Sequence, residues 1–454
     1  MTKSHPFSRR QFIAKTTAAS LLTRFGLLNS FAQSALPAPT DDYKALVCIF
    51  LTGGNDGHNM LIPQSGTQFT NYKSIRGSLA LPDPNASLLP ITNATDGLPY
   101  ALNSGLSSLQ PYWAQGQLAM VANMGMLVTP TSQYDYQHGK VTVPDSLFSH
   151  SDQMQQMQSG VPSSAGGTGW GGRVADGVQS MNGTSTFPTT CSIAGPALFC
   201  NGKVVQSCAL LPGFNLDADG MQLWPVNAGT SRMQGLQQVL QFNSGLSLIQ
   251  AANEARQDAI ALNAMLTGGS ASLATQFPGT SLGTQLQQVA SIIKLRSSTG
   301  MKRQVFFCAL GGFDTHGGQS WQQYDLFQQL SDALVAFYKA TTEDLQIPNQ
   351  ITSFTLSDFG RTLQPSGSGT DHGWGNHHIL FGGAVQGGKI YGTFPQLVLG
   401  GPDDSGVRGA MIPTTSIDQF GATLAAWMGV PTAAIPQVFT NLPNFTTQNL
   451  GFFG

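Results

Sequence analysis

Four runs rich in apolar and β-branched residues constrain the fold of this chain more than any other feature. They span residues 45–51, 118–123, 304–310 and 351–356. Runs without a polar alternation are typical of strands that are buried on both faces, as in a parallel sheet. Apolar residues recur at helical spacing from 320 to 339, so the last two runs and this helix predict a βαβ unit. The pattern favours an α/β fold with a mostly parallel sheet.

The charge content is low for a soluble protein and limits the classes of partner. Charged residues make up 10% of the 454 residues, and the net charge is −2. An ordinary soluble domain has about 25% charged residues. The basic residues are scattered, so the sequence offers no basic face and predicts no nucleic-acid partner. Only Glu254 and Glu343 are glutamates, so carboxylate chemistry falls mainly to Asp.

The N-terminus resembles a twin-arginine export signal. Arg9 and Arg10 precede a moderately apolar stretch, and small residues at 32–34 suit a cleavage site. We therefore predict a signal peptide at residues 1–35, the twin-arginine translocase as a partner during export, and a periplasmic or secreted bacterial protein. Arg24 interrupts the apolar stretch, so no stable membrane span is expected. A disordered basic tail is the alternative interpretation.

The remainder, residues 40–454, is predicted to form one α/β domain with an insertion or cap at about 160–300. This middle region is rich in Gly, Ser and Thr, with short strand-like pieces at 187–210 and a Gln-rich helical pattern at 233–266. A further helix is predicted at 416–428.

The cysteines divide into two groups. Cys48 and Cys308 lie within apolar runs and are predicted to be small core residues. Cys191, Cys200 and Cys208 cluster in the middle region, where an oxidising compartment would allow two of them to form a disulfide and leave one over.

Polar residues gather where the predicted strands end. Functional groups in open parallel sheets collect beyond the carboxyl ends of the strands. Asp and His together suit zinc, manganese or iron, whereas calcium and magnesium prefer oxygen ligands alone. We therefore predict that these loops bind one or two divalent metal ions. The predicted ligands are Asp56, Asp314, His316, Asp358, Asp371, His372 and His377.

Each of these loops also has a purely structural interpretation. The Gly-Gly-Asn-Asp-Gly sequence is a good turn, and Asp314 could cap the following helix. Asp358 could simply pair with Arg361. His377 and His378 are adjacent and cannot face the same side of a regular strand, so one of them should be structural.

Taken together, the motifs resemble the DUF1501 family of exported bacterial proteins. They read Leu-Thr-Gly-Gly-Asn-Asp-Gly, Gly-Gly-Phe-Asp-Thr-His, Ser-Asp-Phe-Gly-Arg-Thr and Asp-His-Gly-Trp-Gly-Asn-His-His, within residues 44–430. That family resembles a distant branch of the alkaline phosphatase and sulfatase superfamily. The resemblance implies a three-layer α/β/α sandwich and hydrolysis of phosphate or sulfate esters at metal ions.

The resemblance also implies roles for the metal ligands. Asp56 would match the metal-binding Asp after the first strand. Asp314, His316 and His372 would match the ligands of one metal ion. Asp358 would match a ligand of a second ion, but the superfamily has His at the next position, where this chain has Phe359.

The nucleophile and the anion-binding group are carried over in the same way. In the superfamily the nucleophile lies at the N-terminus of a helix. In this chain Ser149 precedes a helix-like segment and would match the nucleophile, with His150 as a ligand or base. At this point family members resemble Arg-Ser-His, and this chain has Phe148 in place of the Arg. Arg361 could clamp the anion. An N-cap role for Ser149 or Ser151 is the alternative.

Two functions follow from the sequence. The first is an exported metal-dependent hydrolase of small phosphate or sulfate esters. The second is a non-catalytic metal-binding or assembly protein that retains the fold.

Overall fold

The computed structural model describes residues 42–81, 88–163, 167–212, 224–247 and 272–454, with 249–250, 252–253, 256–257, 260–261 and 264. The predicted signal peptide lies outside the described residues, as does part of the helical pattern predicted at 233–266. No helix in the described part of the chain is long and apolar enough to cross a bilayer.

Fourteen strands and eleven helices are formed by the described residues. The strands are β1 (Lys44–Thr52), β2 (Leu61–Pro63), β3 (Leu88–Thr92), β4 (Pro99–Asn103), β5 (Leu118–Gly125), β6 (Thr190–Ser192), β7 (Cys208–Ala209), β8 (Arg303–Gly311), β9 (Ile351–Ser357), β10 (Arg361–Ser366), β11 (Gly369–His372), β12 (Asn376–Gly382), β13 (Ile390–Tyr391) and β14 (Thr415–Ser416). The helices are α1 (Gly66–Arg76), α2 (Pro111–Ala114), α3 (Gln133–Gln137), α4 (His150–Ser159), α5 (Trp170–Val178), α6 (Val226–Leu240), α7 (Ser281–Lys294), α8 (Arg296–Thr299), α9 (Gln319–Glu343), α10 (Ile417–Met428) and α11 (Ile435–Val438).

The central sheet has nine strands and is mostly parallel. Its order is β13-β5-β12-β9-β1-β8-β6-β7, and β14 also pairs with β5. The strand β12 is antiparallel to both of its neighbours, whereas the other pairs run parallel. The four predicted runs are the strands β5, β9, β1 and β8, and they are buried along almost their whole length. The predicted parallel sheet is confirmed.

Helices cover both faces of this sheet, which explains why its strands are apolar on both sides. On one face, Val47 and Ile49 of β1 share a core with side chains of α7 and α9. On the other face, Cys48 and Phe50 share a core with side chains of α4, α5 and α10. Successive side chains of a strand point to opposite faces, so β1 contributes to both cores. The three-layer α/β/α sandwich is confirmed, as are the predicted helices α9 and α10.

Part of the segment expected to be a cap belongs to the sandwich itself. The strands β6 and β7 extend the edge of the central sheet, and α5 and α7 pack against its two faces. This part of the chain has short strands and Gly-rich turns, and it lacks the long apolar runs of the central strands. The sequence pattern therefore favoured an insertion there. The helix α6 overlaps the start of the Gln-rich pattern predicted at 233–266 but begins earlier, at Val226.

Candidate metal centre

Four side chains from three separate parts of the chain meet beyond the carboxyl ends of β1, β8 and β9. His150 is the first residue of α4. Asp314 and His316 lie in the loop between β8 and α9, and His372 is the last residue of β11. The β10–β11 hairpin brings His372 to this loop, because His372 pairs with Arg361 at the start of β10.

The imidazoles of this cluster face one carboxylate oxygen. Asp314 Oδ1 lies 3.0 Å from Nε2 of His316, 3.4 Å from Nε2 of His150 and 3.7 Å from Nε2 of His372. The Nε2 atoms of His316 and His372 are 3.0 Å apart. The potential ligand atoms of His150, Asp314 and His372 all lie within 4.8 Å of one another. We call these four residues the His/Asp cluster.

The donor set and its spacing fit a divalent ion. Zinc is bound by His nitrogen and Asp oxygen at 2.0–2.2 Å, so the ligand atoms of a tetrahedral site lie about 3.4 Å apart. The three distances from Asp314 Oδ1, 3.0, 3.4 and 3.7 Å, bracket this value. Nitrogen-rich donors with one carboxylate favour zinc, manganese or iron over calcium or magnesium.

The second ring nitrogen of each imidazole faces an acceptor. His150 Nδ1 lies 2.8 Å from Asp358 Oδ2, and His372 Nδ1 lies 2.7 Å from the Phe148 carbonyl oxygen. His316 Nδ1 lies 3.6 Å from Asp371 Oδ1. A carbonyl oxygen can only accept, so His372 carries its proton on Nδ1 and leaves the lone pair of Nε2 for a ligand. Such outer partners orient metal-binding imidazoles in many proteins.

The electrostatics keep Asp314 ionised and His372 neutral. Partial burial acts to raise the pKa of Asp314, but His316, Arg361 and His150 outweigh it and the pKa lies below its usual value. Burial lowers the pKa of His372 despite the opposing hydrogen bond to Phe148. Metal ligation requires these two forms, an ionised carboxylate and a neutral imidazole.

Asp358 lies outside the cluster and acts on it through His150. Its side chain is buried, and it accepts hydrogen bonds from His150 Nδ1 and from the Gly53 amide. Burial raises the pKa of Asp358, although these hydrogen bonds oppose the shift. In this geometry Asp358 orients His150, whereas the sequence predicted a direct ligand. The alternative pairing of Asp358 with Arg361 is not formed, because Arg361 bonds instead to Asp314.

Gly53 holds the first strand against this cluster. Its φ of +116° is in the region that favours glycine, and a Cβ there would overlap the backbone nitrogen of Asp314. Its amide donates to Asp358 and its carbonyl accepts a hydrogen bond from Arg361. The Gly-Gly sequence after β1 therefore permits a close approach of two strand ends.

Among the predicted ligands, Asp358 and Asp371 contact only imidazoles of the cluster from outside, and two others bond elsewhere in the protein. Asp56 is buried and forms an ion pair with Arg76, and it also accepts hydrogen bonds from Gln319 and the His58 amide. His377 is buried on β12, where its Nδ1 accepts a hydrogen bond from the Asn123 amide. A motif cannot reveal that an arginine twenty residues away satisfies its carboxylate.

Arg361 is buried, whereas the predicted anion clamp would have to reach a substrate. Its side chain is 0% exposed, and its guanidinium donates to Asp314, the Gly53 carbonyl and the Thr370 carbonyl. The cation at the open side of the cluster is Arg408, which is 46% exposed and lies 2.6 Å from Asp371 Oδ2. Sequence reasoning missed Arg408, because it stands alone in a loop far along the chain from the motifs.

Ser149 lies at the N-terminus of α4, directly before His150. Its side chain makes no capping bond to the helix backbone, and its hydroxyl donates to Asp152 Oδ2 at 2.5 Å. Ser151 Oγ lies 3.2 Å from the same oxygen. Phe148, just before Ser149, has a φ of 70°, which is unusual for a residue with a side chain. This turn directs the Phe148 carbonyl to His372 and places Ser149 beside the cluster.

The fold and the cluster define a three-layer α/β/α protein with a His/Asp centre at the carboxyl edge of its sheet. The chain matches the family described as "Protein of unknown function (DUF1501)" over residues 43–430. It belongs to this family. Among curated proteins, none matches the chain.

Several solved structures are similar at low identity. The PsFucS1 sulfatase from Pseudoalteromonas sp. is 9% identical, covers 86% of this chain and 70% of its own, and gives a TM-score of 0.30. The lipoteichoic acid synthase LtaP from Listeria monocytogenes is 7% identical, covers 90% of this chain and 78% of its own, and gives a TM-score of 0.35. A variant of the alkaline phosphatase PafA is 13% identical, covers 72% of this chain and 64% of its own, and gives a TM-score of 0.24. The family match, and not these TM-scores, classifies the chain.

Proposed function

We propose that this protein is an exported, metal-dependent hydrolase of phosphate or sulfate esters. One observation supports the proposal above the others: three imidazole Nε2 atoms face one Asp314 oxygen, while each Nδ1 faces an acceptor. This arrangement leaves nitrogen lone pairs for a cation. Export is part of the proposal and rests on Arg9 and Arg10, which would bring the twin-arginine translocase as a partner and a periplasmic or secreted location.

The His/Asp cluster would hold one ion of zinc, manganese or iron. Such an ion polarises an ester oxygen and offsets the charge that builds up as the ester bond breaks. Asp314 and His316 are 49% and 48% exposed, so a substrate can reach this side of the cluster. On the opposite side of the rings, Asp358 bonds to Nδ1 of His150 and the Phe148 carbonyl bonds to Nδ1 of His372.

Ser149 is the nucleophile in this proposal, and Asp152 is its base. The carboxylate accepts the hydroxyl hydrogen of Ser149 at 2.5 Å, so it can take up the proton when the oxygen attacks phosphorus or sulfur and the alcohol of the ester leaves. Water would then hydrolyse the ester formed on Ser149, which releases phosphate or sulfate and restores the hydroxyl. Ser149 directly precedes α4, and the N-terminus of a helix favours negative charge.

Arg408 binds a non-bridging oxygen of the ester group in this proposal. Its guanidinium is exposed and contacts Asp371, which in turn contacts His316. An exposed arginine at a cation-binding cluster suits an anionic substrate, because it can exchange a carboxylate for a phosphate or sulfate. Arg361 keeps Asp314 ionised and in place.

The test combines metal analysis with an ester screen. The purified protein should contain a transition metal and should hydrolyse at least one aryl phosphate, phosphodiester or aryl sulfate. Ser149→Ala should lower kcat by about a hundredfold or more while the metal remains bound. Ser151→Ala is the matched control, because its hydroxyl contacts the same carboxylate, and it should retain most activity. Equal losses in both variants would exclude Ser149 as the nucleophile.

A non-catalytic metal-binding or assembly role is the second candidate. It is favoured by the complete burial of Arg361, which keeps this guanidinium from reaching an anionic substrate. Metal bound at the cluster without turnover of any of the three ester classes would support this candidate. An absence of metal after growth with zinc, manganese and iron would contradict both.

A further inference from the structure

Two cysteines at the edge of the central sheet face each other. Cys191 of β6 and Cys208 of β7 are register partners in a parallel strand pair. Neighbouring strands lie about 4.8 Å apart, and a disulfide needs Cα atoms about 4.4–6.8 Å apart. Register partners in parallel strands project to the same face, and both side chains pack against the same core. The backbone spacing of this pair is therefore compatible with a disulfide bond.

We propose that Cys191 and Cys208 form a disulfide bond in the folded protein when it meets a disulfide-containing oxidant. All five cysteines are thiols in the structure. The chemistry itself depends only on the strand pair and on the oxidant.

Cys208 differs in access from the other four thiols, which include its buried partner Cys191. Cys208 is half-buried on the last strand of the sheet, so an oxidant can reach it. Cys48, Cys200 and Cys308 are buried, and burial raises the pKa of each thiol. Buried thiols with a raised pKa react slowly, because the thiolate is the nucleophile. Reaction at Cys208 is therefore favoured over reaction at the other thiols.

The oxidation proceeds by two thiol–disulfide exchanges. The Cys208 thiolate attacks one sulfur of the oxidant, whose disulfide breaks and releases one thiolate. Cys191, as a thiolate, then attacks the Cys208 sulfur and expels the second thiolate of the oxidant. Two electrons and the two thiol protons pass to the oxidant, which is reduced to two thiols. The protein gains one S–S bond and becomes about 2 Da lighter.

The bond would close the loop at residues 192–207, which supports the helix of the candidate site. Within this loop the Phe199 amide donates to the Gln158 side chain of α4, and the Phe199 ring packs edge-to-face on Trp170. The helix α4 begins at His150. Closing the loop restricts the unfolded chain and so stabilises the fold around this helix.

The experiment compares reduced protein with protein incubated with oxidised glutathione. Remaining thiols are blocked with N-ethylmaleimide under denaturing conditions, and the chain is then cut with trypsin. Lys203 separates the two cysteines, so Cys191 lies in peptide 174–203 and Cys208 in peptide 204–232. We expect these peptides to be joined after oxidation and released by a reductant. Chymotryptic cleavage after Phe199 then tells whether Cys191 or Cys200 carries the bond.

Two serine variants provide the controls. Cys200→Ser removes the other cysteine of the same tryptic peptide and should leave the linked peptides unchanged. Cys208→Ser should abolish the link, and its melting temperature should no longer rise on oxidation. Separate peptides after oxidation of the wild-type protein, or a link through Cys200, would overturn the proposal. Neither result depends on hydrolase activity, so the two proposals fail separately.

Discussion

Replacing Asp358 with Asn tests whether a buried carboxylate prepares His150 to bind metal. Both partners of Asp358 are donors: the Gly53 amide and His150 Nδ1, at 3.2 and 2.8 Å. An asparagine has one uncharged oxygen, which can reach both donors only in the place of Oδ2, 3.3 Å from the Gly53 amide and 2.8 Å from His150 Nδ1, and it makes a weaker bond to the imidazole than a carboxylate does. If the oxygen takes the place of Oδ1 instead, it bonds only Gly53 and the NH2 group faces His150 Nδ1. The imidazole must then carry its proton on Nε2, where it cannot bind a metal ion.

The expected loss can be worked from this geometry. Removing an outer partner of a metal-binding His weakens metal affinity by about 10–100-fold, or about 1.4–2.7 kcal/mol. With free metal at a hundred times the dissociation constant, binding stabilises the wild-type fold by about 2.7 kcal/mol. The same metal concentration should stabilise Asp358→Asn by only about 0.4–1.4 kcal/mol. The metal-free variant should not be less stable, because a buried charge with a raised pKa is removed.

The assay is competition between the protein and a zinc-binding dye, with urea unfolding at fixed zinc as the second measurement. Asp371→Asn is the comparison variant, because Asp371 lies 3.6 Å from His316 and is partly exposed, so it should weaken binding less. Unchanged zinc affinity in Asp358→Asn would refute the outer-partner role of Asp358. A stability loss that is equal with and without zinc would show that the carboxylate only supports the fold.

The remaining predictions concern positions with distinct physical roles. His377→Ala should keep full metal content yet lose roughly 2–3 kcal/mol of stability by metal analysis and urea unfolding, because it leaves a buried cavity. Gly53→Ala should cost at least about 1–3 kcal/mol and weaken metal binding, because its φ and the nearby Asp314 backbone exclude a Cβ. Arg408→Gln should raise KM for an anionic ester several-fold without releasing metal, and an unchanged KM would remove Arg408 from substrate binding. Burial raises the pKa of Asp418 from 3.8 to about 6, so the folded state holds this proton more tightly and loses up to roughly 3 kcal/mol as pH rises from about 4 through 6. Asp418→Asn should lack that loss when unfolding free energies are compared across this pH range.

The strands and part of the His/Asp cluster were readable from the sequence because each rests on a local pattern. A strand buried on both faces must be apolar throughout, so the runs that became β1 and β8 were recognisable. Loops at the carboxyl ends of parallel strands meet at one edge, which is why Asp314 and His372 could be grouped from motifs 58 residues apart.

The pairing of individual charges was not readable, because it depends on distant side chains. Asp56 stands in as polar a motif as Asp314, but Arg76 of α1 reaches it and Gln319 completes its hydrogen bonds. His377 belongs to a strand that is antiparallel to its neighbours and faces a different part of the core. Nothing in either local sequence distinguishes a carboxylate or imidazole satisfied by the protein from one left for a ligand.

The charges around the cluster connect cation binding to anion binding. Three carboxylates, Asp314, Asp358 and Asp371, and two guanidinium groups, Arg361 and Arg408, lie within or against it. With neutral imidazoles this group has one net negative charge, so it attracts a cation and disfavours an anion. A divalent ion would raise this charge by two, to one positive for these five groups and to zero when Asp152 beside Ser149 is included. The half-exposed side, where Arg408 lies, then favours an anionic ester, so the metal ion should bind first and the substrate second.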